Sequence, residues 1–292
     1  MKISNNFNLP QSFLDFARND KYTKGDSDIS VTTLIDSPRI RKMREHFANE
    51  RSVDVVDMVW PLFGTAVHHI LEGNKNKENV VAEERLYAEV DGWKLSGAID
   101  QQTINGKNIE ILDYKVTSVW SVIYGKKEWE NQLNCYAYLV QRNKDKRVNK
   151  LTICAILRDW SRRDAERKPD YPQAPVVLVD VDLWSDTKRI EYVHERISAH
   201  QNADMMYDQE NEFVLCNDNE TWKREDSWAI KKRGQKRAMR VFDNKQSAID
   251  FQKEQTVPVE MEYREGELTR CNGNFCGVAE FCSQYRERNR YE

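Results

Sequence analysis

The sequence predicts an α/β fold, with helices and strands interleaved along one large domain and a small strand-strand-helix unit inserted near the carboxyl end. Two observations carry this. Alternation rich in β-branched residues recurs at Val80 to Val90, Leu151 to Asp159 and Pro175 to Trp184, whereas helical spacing of apolar residues marks Phe63 to Glu72, Trp129 to Val140 and Asp186 to Ala203. Between them lies a strong hairpin signal, Asn105-Gly106, midway through the stretch from Gly97 to Lys115.

Taken in order, residues 1–28 carry nothing that suggests chemistry. The Phe63 to Glu72 helix turns Val67, Ile70 and Leu71 inward and holds the neighbours His68 and His69. Adjacent helical side chains diverge by about 100°, so only one of the two can face the hairpin. The Val80 to Val90 strand contains Glu83 and Glu84, either of which could add an acidic ligand; its register is open, and neither is assigned. If Asn105 and Gly106 form a type I′ turn, Ile104 faces Lys107 and Asp100 faces Ile111. Asp113 then lies diagonal to Asp100 on the same face, with Lys115 next along it. Carboxylates about 7 Å apart at Cβ can share a hard divalent cation, and a lysine beside it can orient a water or offset charge on a phosphate. In the helix that follows, Gln132 and Tyr136 stand one turn apart on one face. Ser161 to Pro169 is a charged connector, and His194 and His200 are packing or surface residues of the Asp186 to Ala203 helix.

Four motifs occur in this order: Gly64-Thr-x-x-His68, Gly97-x-x-Asp100, Asp113-x-Lys115 and Gln132-x-x-x-Tyr136. Each is weak alone. Together they resemble the PD-(D/E)XK nuclease superfamily, in the branch that holds the RecB nuclease domain, the AddB nuclease and the Cas4 exonucleases. The resemblance implies a restriction-endonuclease-like core, a mixed central sheet flanked by helices. It also implies that His68, Asp100, Asp113 and the carbonyl of Tyr114 bind Mg²⁺ or Mn²⁺, that Lys115 is the catalytic lysine, and that Gln132 and Tyr136 position the active site or DNA. The implied activity is a metal-dependent DNA exonuclease, phage-encoded and serving replication, recombination or DNA degradation. A recombination or single-strand-binding protein is a further expected partner. A structure-specific or single-strand endonuclease, and a silent DNA-binding adaptor, stay open at this point; the oligomeric state is not legible.

The same family resemblance extends to the cysteines. The segment Ser37-Pro38-Arg39 is similar to one that carries the first iron-sulfur ligand of Cas4 and AddB proteins, with serine where they have cysteine. Cys271, Cys276 and Cys282 are similar to the terminal cysteine group, although four residues fill the first gap instead of two. With three thiols of four, a complete cluster is not expected, and the group reads as a compact clasp, a remnant or a site for another metal. Cys135, Cys154 and Cys216 read as structural.

From Lys231 to Arg240, six of ten residues are basic and none is acidic. Lys231, Lys232, Arg233, Lys236 and Arg237 are candidate phosphate contacts in a small module at 216–262, which separates a nuclease core at 1–215 from a cysteine-containing segment at 263–292 that packs back on the core. Trp228 reads as part of that module's own small core. A net charge of −3 over 292 residues excludes a uniformly basic DNA-coating protein. No apolar run approaches the roughly 20 residues of a membrane span, and the first residues lack a signal-peptide core, so a soluble, cytoplasmic protein is expected.

Overall fold

A computed structural model describes residues 1–19, 24–72, 78–273 and 275–288. Its centre is a six-stranded mixed sheet flanked by helices, the α/β arrangement expected. The long strand Trp93–Asn105 organises it. Val80–Val90 pairs antiparallel along one whole edge, from Val80↔Thr103 to Val90↔Trp93. Two strands share the other edge: Ile29–Ser30 pairs parallel at Leu95 and Ser96, and Asn108–Thr117 pairs antiparallel from Gln101↔Leu112 to Asn105↔Asn108. Beyond Leu112 the latter strand parts from its hairpin partner and stays with the parallel strand Arg147–Leu157, which in turn pairs antiparallel with Val176–Val181. The sheet therefore forks between Gly97 and Asp100.

The hairpin corrects one expectation. Asn105 pairs with Asn108 and keeps a negative φ; of the two turn residues Gly106 and Lys107, only Gly106 is left-handed, at φ 61°. Glycine with positive φ at the first central position is the signature of a II′ turn, so the turn slips by one residue and the pairing by two. An even slip keeps every side chain on its expected face. Its effect is to bring Asp100 level with Asp113 instead of Ile111.

Helix Lys127–Asn143 packs across the fork, burying Leu133, Tyr136, Ala137 and Leu139 against the sheet. Its approach requires Gly97: a Cβ there would come within 2.7 Å of Leu139 and 2.9 Å of the Tyr136 ring. The helix Val59–Glu72 covers the fork from the other side. Here Ile70 contradicts the sequence reading, being 72% exposed. The contact face runs through Val67, His68 and Leu71, all half-buried, and a face centred there turns Ile70 away.

A second, smaller core joins the two ends of the chain. Ile40 and Met43 of helix Pro38–His46 pack on Cys276, Val278, Ala279 and Cys282. The basic segment lies in a three-stranded antiparallel sheet, ordered Ala238–Phe242, Ser227–Lys232, Val259–Arg264, with helix Lys245–Lys253 against it. The expected strand-strand-helix unit thus gains a third strand, which runs past the boundary at 262. No helix among the described residues is long and apolar enough to cross a membrane.

Candidate metal centre

Along Asn108–Thr117, Ile109 and Ile111 face the core, and Asp113 is the next residue in that phase, 1% exposed. A carboxylate in an apolar position demands partners. Gln132 Nε2 donates to Asp113 Oδ1 at 3.3 Å and to the Tyr136 hydroxyl at 2.8 Å, which explains why those two residues lie one helical turn apart. Lys115 Nζ stands 2.6 Å from Asp113 Oδ2, but is not aligned as a hydrogen bond, so that buried oxygen has no donor of its own. Two residues apart on one strand face, Asp113 and Lys115 meet as the alternation requires.

Asp100 sits at the mouth of the fork. Its carboxylate accepts the Tyr114 N–H at 2.8 Å, taking an amide that the ladder leaves unpaired once the strands diverge. Burial, and then the nearby Asp113 carboxylate, push Asp100 up to about 6, against the opposing pull of His68, Lys115 and the Tyr114 amide. His68 Nε2 donates to the Tyr114 carbonyl at 3.0 Å, and its Nδ1 lies 3.5 Å from Asp100 Oδ2. The helix has therefore brought His68, as expected, onto the same point as Asp100 and the Tyr114 carbonyl.

Of the two residues left unassigned from the sequence, Glu83 and Glu84, it is Glu83 that reaches this point. The ladder runs Ala82↔Gln101 and Glu84↔Ile99, and between these steps Glu83 takes a left-handed φ of 52°. Such a conformation in a non-glycine residue inside a strand is a local irregularity that re-aims the side chain. One oxygen of Glu83, one of Asp100 and one nitrogen of His68 all lie within 4.8 Å of one another. Glu84 points elsewhere, accepting from Gln102 at 2.7 Å and forming an ion pair with Lys144. Alternation alone could not separate these neighbours, because the irregularity at Glu83 breaks it. The only signal in the sequence was the Glu-Glu pair itself.

These groups line an open cleft of about 830 Å³, whose walls also include Arg85, Thr65 and His69. Three carboxylates, an imidazole and a peptide carbonyl converge there with one lysine. The set is dominated by hard oxygen donors, in excess of the local positive charge, and one buried carboxylate oxygen is without a hydrogen-bond donor. It fits a hard divalent cation such as Mg²⁺ or Mn²⁺.

The other predicted residues lie apart from this centre. Lys232, Arg233, Lys236 and Arg237 are exposed around the turn of the basic hairpin. Lys231 is a correction: it is half-buried and ion-paired with Glu262 across the added third strand, and so is spent within the module. Trp228 packs on Tyr263, in agreement with its reading as local core. Cys271, Cys276 and Cys282 gather at the second core, where Cys216 joins them around one interior cavity. Burial pushes the Cys216 thiol up to about 12 and the Cys271 thiol up to about 11.

No known protein family matches the chain, and no curated protein is similar to it. Among solved structures, one described as "Crystal structure of SSO0001" is similar over 64% of this chain and 82% of its own, at 16% identity and a TM-score of 0.42. That likeness is too slight to carry a conclusion.

Proposed function

We propose that this protein is a Mg²⁺- or Mn²⁺-dependent DNA exonuclease with a PD-(D/E)XK core of the RecB, AddB and Cas4 kind. The observation that carries the reading is the convergence of His68, Glu83 and Asp100 within 4.8 Å of one another, beside Asp113, Lys115 and the Tyr114 carbonyl, at the fork of a mixed sheet. His68, Glu83 and Asp100, with Asp113 and the Tyr114 carbonyl beside them, would hold the cation. When bound, it supplies Lewis acidity to a phosphate oxygen and lowers the pKa of a coordinated water.

The chain's own residues do the rest. Lys115, tied to Asp113, stands on the cleft side of the strand, where an ammonium offsets charge gathering on a phosphodiester and orients the attacking water. Gln132 holds Asp113 Oδ1 and is itself fixed through Tyr136, so the carboxylate cannot rotate freely. Arg85 adds a second cation to the cleft wall for the backbone of the bound strand.

The test incubates wild type and Asp113→Ala with end-labelled linear and with circular DNA in Mn²⁺, Mg²⁺ or EDTA. Metal-dependent loss of linear DNA by wild type alone, with circles spared, is the expected result. Cleaved circles would replace exonuclease by endonuclease. DNA bound but uncut under every condition would overturn the enzymatic reading.

A further inference from the structure

We propose that Cys216, Cys271, Cys276 and Cys282 form a four-thiolate metal centre, with Cys216 standing in for the thiol that is missing at Ser37. All four line one interior cavity, together with Arg39 and Arg270. Cys216 is separated from the other three by more than fifty residues, and no spacing motif includes it. The fold nevertheless delivers it to the missing corner: its Sγ lies 3.2 Å from Ser37 Oγ. Ser37 itself is occupied as the cap of helix Pro38–His46, accepting from the Ile40 amide at 3.4 Å.

Two arginines supply an independent observation. Arg39 is 2% exposed, and its side-chain partners among the described residues are sulfur, carbonyl and hydroxyl groups, not carboxylates. Its guanidinium donates to the carbonyls of Phe213 and Val214, to Ser283 Oγ, and twice to Cys282 Sγ at 3.4 Å. A buried cation needs compensating negative charge, and here a sulfur is what it meets. A thiolate bound to metal answers this need, since four thiolates around a divalent ion or an iron-sulfur core keep net negative charge, and N–H donors to ligand sulfur are the usual outer support of such centres. Arg270, on the same cavity, has a buried Nε with no acceptor. A metal-bound sulfur would provide one.

Four thiolates are the ligand set of both structural zinc and iron-sulfur clusters. Zinc-sulfur bonds of about 2.3 Å would draw the sulfurs to within about 3.8 Å of each other. A cluster core would leave them further apart, and metal analysis separates the two. In either case coordination converts four thiols to thiolates and releases four protons, with the metal, and for a cluster the sulfide, supplied from solution. The centre would fasten helix Pro38–His46 to the last part of the chain and leave the carboxylate site chemically separate.

The experiment measures iron, acid-labile sulfide and zinc per chain, and the visible absorption, after anaerobic purification of the full-length protein. Wild type is expected to hold about four iron or one zinc per chain. Cys216→Ser should lose at least about tenfold in occupancy, and Ser37→Ala should keep it. The double variant Ser37→Cys with Cys216→Ser should recover it, because the two side chains are 3.2 Å apart and exchange places. Iron with sulfide identifies a cluster and zinc a single ion, both on these ligands. A metal-free wild type, full occupancy in Cys216→Ser, or a double variant that is folded by circular dichroism yet empty would overturn the proposal. None of these readouts depends on nuclease activity.

Discussion

Glu83 and Asp100 face each other across two antiparallel strands at the one step where the ladder is interrupted, Ala82↔Gln101 on one side and Glu84↔Ile99 on the other. The left-handed backbone of Glu83 turns its carboxylate toward the Asp100 and His68 donors. Glu83→Gln is therefore expected to lower metal-dependent cleavage at least about 100-fold, on the order of 3 kcal/mol of transition-state stabilisation. Glu84→Gln, one residue along, should stay within a few-fold of wild type. Steady-state cleavage assays on the pair check this; equal losses would show that Glu83 is not set apart.

Gly97 allows helix Lys127–Asn143 to sit directly on the forked strand. A methyl at that position meets Leu139 and Tyr136 below 3.0 Å, and both belong to a packed core. Gly97→Ala should cost about 1–3 kcal/mol in denaturant unfolding through overpacking. Because Tyr136 holds Gln132, cleavage should fall further than stability explains at temperatures where the variant is fully folded.

Asp100 sets stability against function. Its folded pKa of about 6 lies above the ordinary 3.8 because burial and Asp113 disfavour the charge. Between those pH values the folded protein keeps a proton that the unfolded chain has released, so metal-free stability falls as pH rises from about 4 to about 6, by on the order of 3 kcal/mol. Asp100→Asn should therefore unfold at a higher temperature than wild type at pH 7 in EDTA, match it near pH 4, and be inactive. A lower melting temperature at pH 7 would contradict the electrostatic account.

His200 is fully buried, its Nε2–H donating to the Leu34 carbonyl at 3.1 Å and its Nδ1 accepting from Arg41 Nε at 3.0 Å. A second proton would face the Arg41 guanidinium, and burial together with that charge lowers the pKa to about 4. The unfolded chain takes up its proton near 6.5, so stability is intact above that value and declines by up to about 3 kcal/mol as pH falls toward 4. Subtracting the same curve for His200→Gln, whose amide can reproduce both bonds, isolates this contribution.

Within the basic hairpin the structure separates Lys231 from its neighbours. Replacing Lys232, Arg233, Lys236 and Arg237 together by alanine should weaken DNA binding at low salt and reduce the slope of log K against log [salt] by up to about 3. Lys231→Ala should leave that slope alone and cost less than about 1 kcal/mol of stability, through loss of a partly exposed ion pair. Titrations at three salt concentrations distinguish the two.

What the sequence could show of this site follows from the regularity of its elements. Helical and strand periods place Asp113, Lys115, Gln132 and Tyr136 on the proper faces, because an even slip in register preserves faces even though the turn was misplaced by one residue; periodicity left His68 and His69 open, and only the motif beginning at Gly64 selected His68. Glu83 escaped, since its position depends on a backbone irregularity that no periodicity announces. Ile70 was misread because the face of its helix that turns inward is centred on Val67, His68 and Leu71, which leaves Ile70 72% exposed. Cys216 escaped for a different reason: its partners are brought to it by the packing of the two ends of the chain, a long-range outcome that local patterns do not encode. Lys231 looked free until the strand carrying Glu262 was placed beside it.

Arg39 gives the protein a direction in time. Its acceptors are Phe213, Val214, Cys282 and Ser283, all at least 174 positions downstream. During synthesis on the ribosome, helix Pro38–His46 emerges with a guanidinium that can find none of them until residues 213 to 283 follow. The helix cannot satisfy this guanidinium from its own neighbourhood, so its buried position depends on segments far along the chain. A chain cut short before Cys282 would leave the Arg39 guanidinium without its contacts to Cys282 and Ser283.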